Sequence, residues 1–195
     1  MTLSRQKLTL IGIFALFMGP VLLVILMRSS WWDYQPGGLK NHGHLVQPPV
    51  RLELEKSPAI ERKWLILYVL EQPCGASCMN EVTALRQIHR AAGRRAENLE
   101  ILLLSGSPFE TELASQLESV YPEFQLLTDS GEKTLEALNG VNQSMLAGKS
   151  GFEQVRTYVI DPNLNVVLAY RVDADPNDLH KDLKRLLKWA DQENR

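Results

Sequence analysis

The feature that most constrains the fold is an apolar run, Trp64–Leu70, followed by a short loop that holds both cysteines of the chain, Cys74 and Cys78. A continuous apolar run of this length is typical of a strand buried on both faces of a sheet. Gly75, between the cysteines, lets the backbone leave the strand and open a helix. Both thiols would then lie at a sheet edge, near the positive end of a helix dipole that stabilises a thiolate. The sequence therefore predicts a reactive dithiol between a strand and a helix.

The rest of the sequence alternates strands with helices. After Cys78, apolar side chains recur at helical spacing as far as Ala92, and Gly93 then offers a helix stop. Asp175 and Pro176 supply an N-cap and a proline at the first helical position. The predicted strands are short: residues 51–55 alternate apolar and charged side chains as a half-exposed strand does, and the others span residues 63–70, 99–104, 124–127, 155–160 and 166–170. The predicted helices span residues 78–92, 108–121 and 129–138, and a closing helix begins at residue 176.

This order of elements predicts an α/β fold. Turn residues at Asp161–Asn165 join the last two strands, as expected of a hairpin. Strand, dithiol loop, helix, strand, helix and strand, followed by that hairpin and a final helix, predict a mixed sheet with helices on both faces. This is the thioredoxin-like arrangement. With 195 residues, of which 45% are apolar, the chain can bury one ordinary core.

Two motifs give a resemblance to a known family. The sequence Pro-Cys-Gly-Ala-Ser-Cys, at Pro73–Cys78, follows the buried strand, and a late strand and turn reads Thr-Tyr-Val-Ile-Asp-Pro-Asn, at Thr157–Asn163. On these motifs, residues 46–191 resemble the Sco/SenC family of membrane-anchored proteins. The resemblance implies a thioredoxin-like fold and a role in assembling the copper centre of cytochrome c oxidase. It also implies a membrane-protein client, such as an oxidase subunit, and copper held by two cysteines and a histidine just before the late strand.

The chain departs from that family at the metal site. Residues 140–157 contain no histidine, and Met79 stands where a proline commonly follows the second cysteine. Met145 lies in the right region, but a single methionine in such a loop is typical of gap filling. His89 and His180 fall on predicted helices, where capping or partial burial is expected. The missing histidine favours thiol-disulfide exchange over copper binding.

The dithiol supports three functions. In the preferred one, a thiol-disulfide oxidoreductase that requires no cofactor, Cys74 attacks a client disulfide and Cys78 resolves the mixed disulfide. The opposite assignment stays open, because in Cys-x-x-Cys motifs the first cysteine gains the effect of the helix terminus. In the second function, Cys74 and Cys78 carry Cu(I) as a metallochaperone, since thiolates suit a soft ion. In the third, the pair is a structural disulfide in a non-catalytic assembly adaptor.

The start of the chain predicts a membrane anchor. Leu8–Met27 contains no charged side chain, and its 20 residues of helix would cross roughly 30 Å of hydrocarbon. Arg5 and Lys7 precede the stretch, which places the N-terminus in the cytoplasm by the positive-inside rule. A cleaved signal peptide would need an Ala-x-Ala-like site, and Met27–Trp31 supplies none. We expect a single-pass protein of the inner, cytoplasmic membrane whose C-terminal domain faces the periplasm.

A linker is expected between anchor and domain. Gln35–Pro49 holds three prolines, three glycines and two histidines with little periodicity. His42 and His44 in this stretch could chelate a metal, but a solvated linker explains them without a ligand role, and zinc normally requires further ligands. The predicted cytoplasmic N-terminus, anchor, linker and thioredoxin-like domain cover residues 1–7, 8–28, 29–49 and 50–191.

The charge pattern excludes nucleic acid as the partner. The formal net charge is only -2, and no stripe of lysine and arginine with interleaved aromatics occurs in the sequence. Arg90, Arg94 and Arg95 form a local basic cluster, which a solvated helix end near the C-terminal dipole explains. The charge pattern thus leaves in place the membrane-protein client that the resemblance implies.

Overall fold

The computed structural model describes residues 5–28, 41–54, 60–145 and 155–193. The chain divides into two compact units, Met1–Lys40 and Asn41–Arg195. In the first unit, helix α1 (Arg5–Arg28) covers the segment in which the anchor was expected. None of the helices, over the residues that are described, combines the length and the apolar character that a membrane crossing requires.

The second unit is built on a six-stranded mixed sheet, counted over the residues described for it. The strands are β1 (His44–Arg51), β2 (Trp64–Val69), β3 (Leu99–Ser105), β4 (Phe124–Thr128), β5 (Val155–Ile160) and β6 (Asn165–Arg171). They lie in the order β1-β6-β5-β2-β3-β4. Strands β2, β3 and β4 run parallel, whereas β5 pairs antiparallel with both β2 and β6. Because β2 and β3 are parallel, the loops that follow them leave from the same edge of the sheet.

In the described part of this unit, four α-helices cover the sheet. They are α2 (Ala76–Ala91), α3 (Thr111–Val120), α4 (Lys133–Met145) and α5 (Pro176–Glu193). A short 3-10 helix, Gly93–Asn98, continues from the end of α2. Buried residues of α2, α3 and α5 share one core, and those of α4 belong to the other. The helices therefore lie on both faces of the sheet, as predicted.

Strand β2 supplies both cores with alternate side chains. Ile66 and Tyr68 pack against the residues of α2 and α5, whereas Leu65 and Leu67 pack on the opposite face with those of α4. All four side chains are fully buried. This is the two-sided burial that the continuous apolar run predicted. The end of β2, where the dithiol loop begins, is therefore held in the middle of the sheet.

Strand β1 replaces part of the predicted linker. Residues 44–49, the end of the linker expected over 29–49, belong to β1, and the compact unit begins at Asn41 rather than at residue 50. Residues 29–40 lie outside the described part of the chain. The strand expected over residues 51–55 was placed too late, because β1 already ends at Arg51.

The prolines of β1 explain why the sequence pattern indicated a linker here rather than a strand. Pro48 and Pro49 cannot donate to a ladder, and proline in a sheet is confined to edges and irregular positions. β1 is an edge strand, and its pairing with β6 shifts register between Leu45 and Val50, so the prolines fall in the irregular part.

The helix predicted over residues 129–138 begins later and extends further. A side-chain oxygen of Asp129 accepts a hydrogen bond from the backbone N–H of Leu135 at 2.8 Å, which keeps the chain in a turn before α4. The helix then continues to Met145. Between Val155 and Arg171 the predicted hairpin is present, and Asp161 accepts from the backbone N–H of Asn165 at 2.8 Å within its turn.

Candidate dithiol site

The dithiol lies where β2 leaves the sheet. Leu70 continues the pairing with β3, because its N–H donates to the carbonyl of Leu104 at 2.7 Å. The chain then loops outward to Cys74, and α2 begins two residues later. Cys78 lies in the first turn of α2, and a disulfide joins it to Cys74 with the two Cα atoms 5.4 Å apart. The structure thus places both cysteines at the end of β2 and the start of a helix, as the sequence predicts.

The two sulfur-bearing residues differ in exposure. Cys78 is buried at 8% exposure, whereas Cys74 is only partly buried. Both belong to the apolar core beneath α2, and Met79, Phe109 and Leu113 are partly buried against the same core. An incoming thiolate therefore reaches Cys74 more easily than Cys78.

The start of α2 favours negative charge on sulfur. Gly75 occupies the N-cap position, where no side chain caps the helix, and the first turn carries no acidic residue. The first four N–H groups of a helix have no partner within the helix, and they give its N-terminus a partial positive charge. Cys78, inside this turn, would be stabilised as a thiolate once the disulfide is reduced.

Gln72 fastens the dithiol loop to the neighbouring loop. Its Nε2 lies 2.9 Å from Oγ of Ser105, 3.2 Å from both the carbonyl oxygen and Oγ of Ser107, and 3.1 Å from the carbonyl oxygen of Pro108. Its Oε1 accepts from the N–H of Glu110 at 3.1 Å. These partners all lie at the end of β3 or in the β3–α3 loop, residues 106–110. Gln72 directly precedes the Pro73–Cys78 motif, yet its partners are 33 to 38 residues away in the chain, and the sequence gives no sign of them.

Arg156 joins the start of β5 to the dithiol loop. Its Nη2 lies 2.7 Å from a carboxylate oxygen of Glu71, and its side chain is 19% exposed. β5 runs antiparallel to β2, so its first residues reach the sheet edge at which the cysteines lie. This part of the chain is where the resemblance to the Sco/SenC family implied a histidine. A guanidinium donates hydrogen bonds and offers no lone pair to a metal.

Tyr68 places a buried hydroxyl beneath the same edge. Burial raises the pKa of Tyr68, the nearby carboxylate of Glu81 raises it further, and the guanidinium of Arg156 opposes that rise. The hydroxyl makes no hydrogen bond of good geometry to a described group. Tyr68 therefore stays neutral and takes no part in charge balance at the dithiol near neutral pH.

The histidines do not join the cysteines. Across the described residues, no group of three or more histidine, cysteine, aspartate and glutamate side chains is placed to hold a metal ion. Nδ1 of His42 lies 3.3 Å from Oδ1 of Asp178, and Nε2 of His89 lies 3.2 Å from the carbonyl oxygen of Leu99. His44 lines a cavity with His42, and His180 lines a different one.

Comparison with known proteins gives one family and a set of similar structures. A family model described as "Transmembrane-like, thioredoxin-like, C-terminal domain" matches residues 64–190, more than half of the chain. The copper-bound structure of ScoI from Arabidopsis thaliana has a TM-score of 0.50 and 15% sequence identity, and the match covers 67% of this chain and 87% of that one. Copper-bound yeast Sco1 has a TM-score of 0.50 and 16% identity, with 66% of this chain and 80% of that one covered. No protein of curated function matches the sequence significantly.

These comparisons establish the fold. At 15% and 16% identity the two structures show a shared architecture, and the family model names the same one. The expectation of a thioredoxin-like α/β fold, with a mixed sheet flanked by helices, is confirmed.

Proposed function

Because this chain belongs to the family of transmembrane-like, thioredoxin-like C-terminal domains, we propose that its Cys74–Cys78 pair exchanges electrons with a disulfide of a client protein. The observation that carries the proposal is the disulfide itself, which has one partly exposed and one buried sulfur at an uncapped helix N-terminus. A bridge that closes so short a loop stabilises a fold of this size little, about 2 kcal/mol in the chain-entropy relation. Exchange is the chemistry that this arrangement serves best.

The reaction begins from the reduced protein. The Cys74 thiolate attacks one sulfur of the client disulfide, a new S–S bond forms, and the other client sulfur leaves as a thiolate. The Cys78 thiolate then attacks Cys74, which releases the second client thiolate and closes the Cys74–Cys78 disulfide seen in the structure. The client gains two electrons, its two thiolates take up protons from solvent, and this protein loses the same two electrons.

Single-cysteine variants test the assignment of the two sulfurs. We expect the full-length Cys78→Ser variant in detergent to form a stable mixed disulfide with added glutathione disulfide, because Cys74 is accessible and nothing resolves the adduct. The matched Cys74→Ser variant should react at least about tenfold more slowly, since Cys78 is buried. Mass spectrometry over time measures both rates. A faster reaction at Cys78 would reverse the two roles.

The reduction potential tests the function as a whole. Proteins that exchange disulfides have potentials between about −120 and −270 mV, whereas structural disulfides typically lie below about −300 mV. We expect the wild-type pair to fall in the first range when it is equilibrated with thiol redox buffers. A value below that range would instead support the assembly adaptor with a structural disulfide.

The proposal also includes a client protein and a cellular location. The Pro73–Cys78 and Thr157–Asn163 motifs support a client in cytochrome c oxidase assembly, and the target would be a disulfide between cysteines of the copper-free site of an oxidase subunit. The uncharged stretch Leu8–Met27 supports an inner-membrane anchor over residues 8–28 and a domain in the periplasm. Tethering would raise the effective concentration of the domain near a membrane client. An alkaline phosphatase fusion after residue 195, active only outside the cytoplasm, tests the topology.

Cu(I) binding is the second candidate, favoured by two soft sulfurs held on one loop. The described residues fit the ion in part: they bring together Cys74 and Cys78, available only after reduction, and no third side chain of a metal-binding cluster. A competition titration of the reduced full-length protein against a Cu(I) chelator, beside Cys74→Ser, tests it. Retention of one copper by the wild type alone would support a metallochaperone, and equal loss from both proteins would exclude it.

A further inference from the structure

Gln72 connects two loops through every polar atom of its side chain. Its Nε2 has two hydrogens and four acceptors within 3.2 Å, so the donors are shared among Ser105, Ser107 and Pro108. Its Oε1 accepts from the start of the helix that follows, at Glu110. An amide offers both a donor and an acceptor group, and this loop uses both. A side chain engaged in this way restrains the backbone to which it is attached.

The partners of Gln72 are themselves fixed to the sheet. Ser105 is 2% exposed, its carbonyl accepts from the N–H of Asp129 at 2.9 Å, and its Oγ accepts from the N–H of Ser107 at 3.3 Å. Next to it, a Cβ added to Gly106 would lie 2.9 Å from Cδ1 of Leu135, so α4 packs closely against this position. The β3–α3 loop is therefore a firm support for the amide.

The restraint acts on one of the two sulfurs. Cys78 is held by α2 whatever its redox state, because Met79 beside it already makes the helical hydrogen bond to Gly75 at 3.1 Å. Cys74 lies between the pairing of Leu70 with β3 and the start of α2, two residues after Gln72. When the disulfide opens, the position of Cys74 relative to Cys78 depends on how firmly this loop is held.

We propose that Gln72 is a positioning residue that lowers the reduction potential of the Cys74–Cys78 pair by holding Cys74 within reach of Cys78. The inference rests on the proposed function, for which the potential of the pair is the working property. In the reduced protein the hydrogen bonds of Gln72 keep the Cys74 thiol at high effective concentration beside the Cys78 thiol. This favours closure of the disulfide over two separate thiols. Closure transfers two electrons from the dithiol to an oxidised partner and releases two protons. The hydrogen bonds of Gln72 change only the equilibrium constant of this closure.

The test is a redox titration of the full-length protein in detergent against dithiothreitol buffers of stepped oxidised to reduced ratio. We expect Gln72→Ala to shift the equilibrium about fivefold towards the dithiol, which corresponds to a potential ~20 mV less negative. Gln87→Ala, at an exposed glutamine of α2, is the matched control and should leave the equilibrium unchanged. A merely structural role destabilises the oxidised and reduced forms alike and leaves the potential in place.

A second variant separates the hydrogen bonds from the size of the side chain. Gln72→Glu has the same shape but, as a carboxylate, cannot donate to Ser107 or Pro108, so its equilibrium should shift at least as far as that of Gln72→Ala.

The outcomes distinguish this inference from the proposed function. Equal potentials for wild type, Gln72→Ala and Gln87→Ala would overturn the role of Gln72 and leave exchange intact. A wild-type potential below the range of exchange proteins would overturn the proposed function, while the shift caused by Gln72→Ala would still be measured in the more reducing buffers.

Discussion

Two segments of the second unit are each fastened by a side chain that makes several hydrogen bonds, and these two side chains differ in burial and in charge. At the entry to β1, Oδ2 of Asp182 accepts from the backbone N–H groups of His42 and Gly43 at 2.7 and 2.9 Å and from the hydroxyl of Tyr170 at 2.9 Å. At the dithiol loop, the neutral amide of Gln72 makes contacts that are largely exposed. The first fastening is a buried carboxylate at 2% exposure, and the second is open to water.

Because of this difference, Asp182 contributes mainly to the stability of the fold, whereas the contacts of Gln72 can change when the disulfide opens. A buried carboxylate costs several kcal/mol unless it is paired with donors or a cation. Oδ2 of Asp182 has three donors, and Nη1 of Arg185 lies 3.7 Å from Oδ1, so the carboxylate and these partners depend on one another. The surroundings leave little space, because a Cβ on Gly43 would collide with the ring of Tyr170. Water can replace the hydrogen bonds of Gln72 at a small cost. A loop whose disulfide opens and closes is therefore served by the weaker fastening.

The largest expected effect comes from removing the buried carboxylate. Asp182→Ala should lower the free energy of unfolding by about 3 kcal/mol, because it leaves two backbone N–H groups and a tyrosine hydroxyl without an acceptor. Urea denaturation of the full-length protein, followed by circular dichroism, measures the change. Asp173→Ala, at a 71% exposed aspartate, is the matched control and should leave stability unchanged.

The same variant sharpens the comparison with Gln72. Asp182 acts on β1 and α5 in both redox forms, so Asp182→Ala should leave the potential of the Cys74–Cys78 pair where it is. A loss of stability below about 1 kcal/mol, or a shift in potential as large as that of Gln72→Ala, would remove the distinction between the two fastenings.

The sequence predicted the fold best where local signals agreed. The apolar run before Cys74 and the turn at Asp161–Asn165 lie beside the elements they specify, and both the β2–α2 unit and the β5–β6 hairpin appear as expected. The strand at β1 was predicted too late in the chain, because its prolines and neighbouring glycines indicate a linker, while the group that orders its entry, Asp182, lies 140 residues away from His42. Gln72 was missed for the same physical reason. Its partners become neighbours only when β2 and β3 pair.

The next expected effect compares two tyrosines of one core. Tyr170→Phe should cost about 1.5 kcal/mol of unfolding free energy at pH 7, because Asp182 loses a donor to its charged oxygen. Tyr68→Phe should cost close to nothing, since its buried hydroxyl makes no hydrogen bond of good geometry. The two variants remove the same atom from the same apolar cluster, so urea denaturation of both isolates the hydrogen bond. Equal losses would show that Tyr68 has a partner of similar strength.

The smallest expected effect is a change in the free energy of unfolding at alkaline pH, which alters the order of stability of wild type and the two tyrosine variants. Burial raises the pKa of both tyrosines, and the carboxylates of Asp182 and Glu81 raise the pKa of Tyr170 and Tyr68 further. A group whose pKa is higher in the folded state stabilises the fold fully below its unfolded pKa, near 10, and loses that contribution as the pH rises above it. At pH 11 each tyrosine should therefore cost the wild type about 1 kcal/mol relative to its phenylalanine variant. Tyr68→Phe, equal to wild type at pH 7, should then be the more stable protein, and Tyr170→Phe should nearly match wild type. Parallel stability curves for the three proteins between pH 9 and 11 would contradict the raised pKa values.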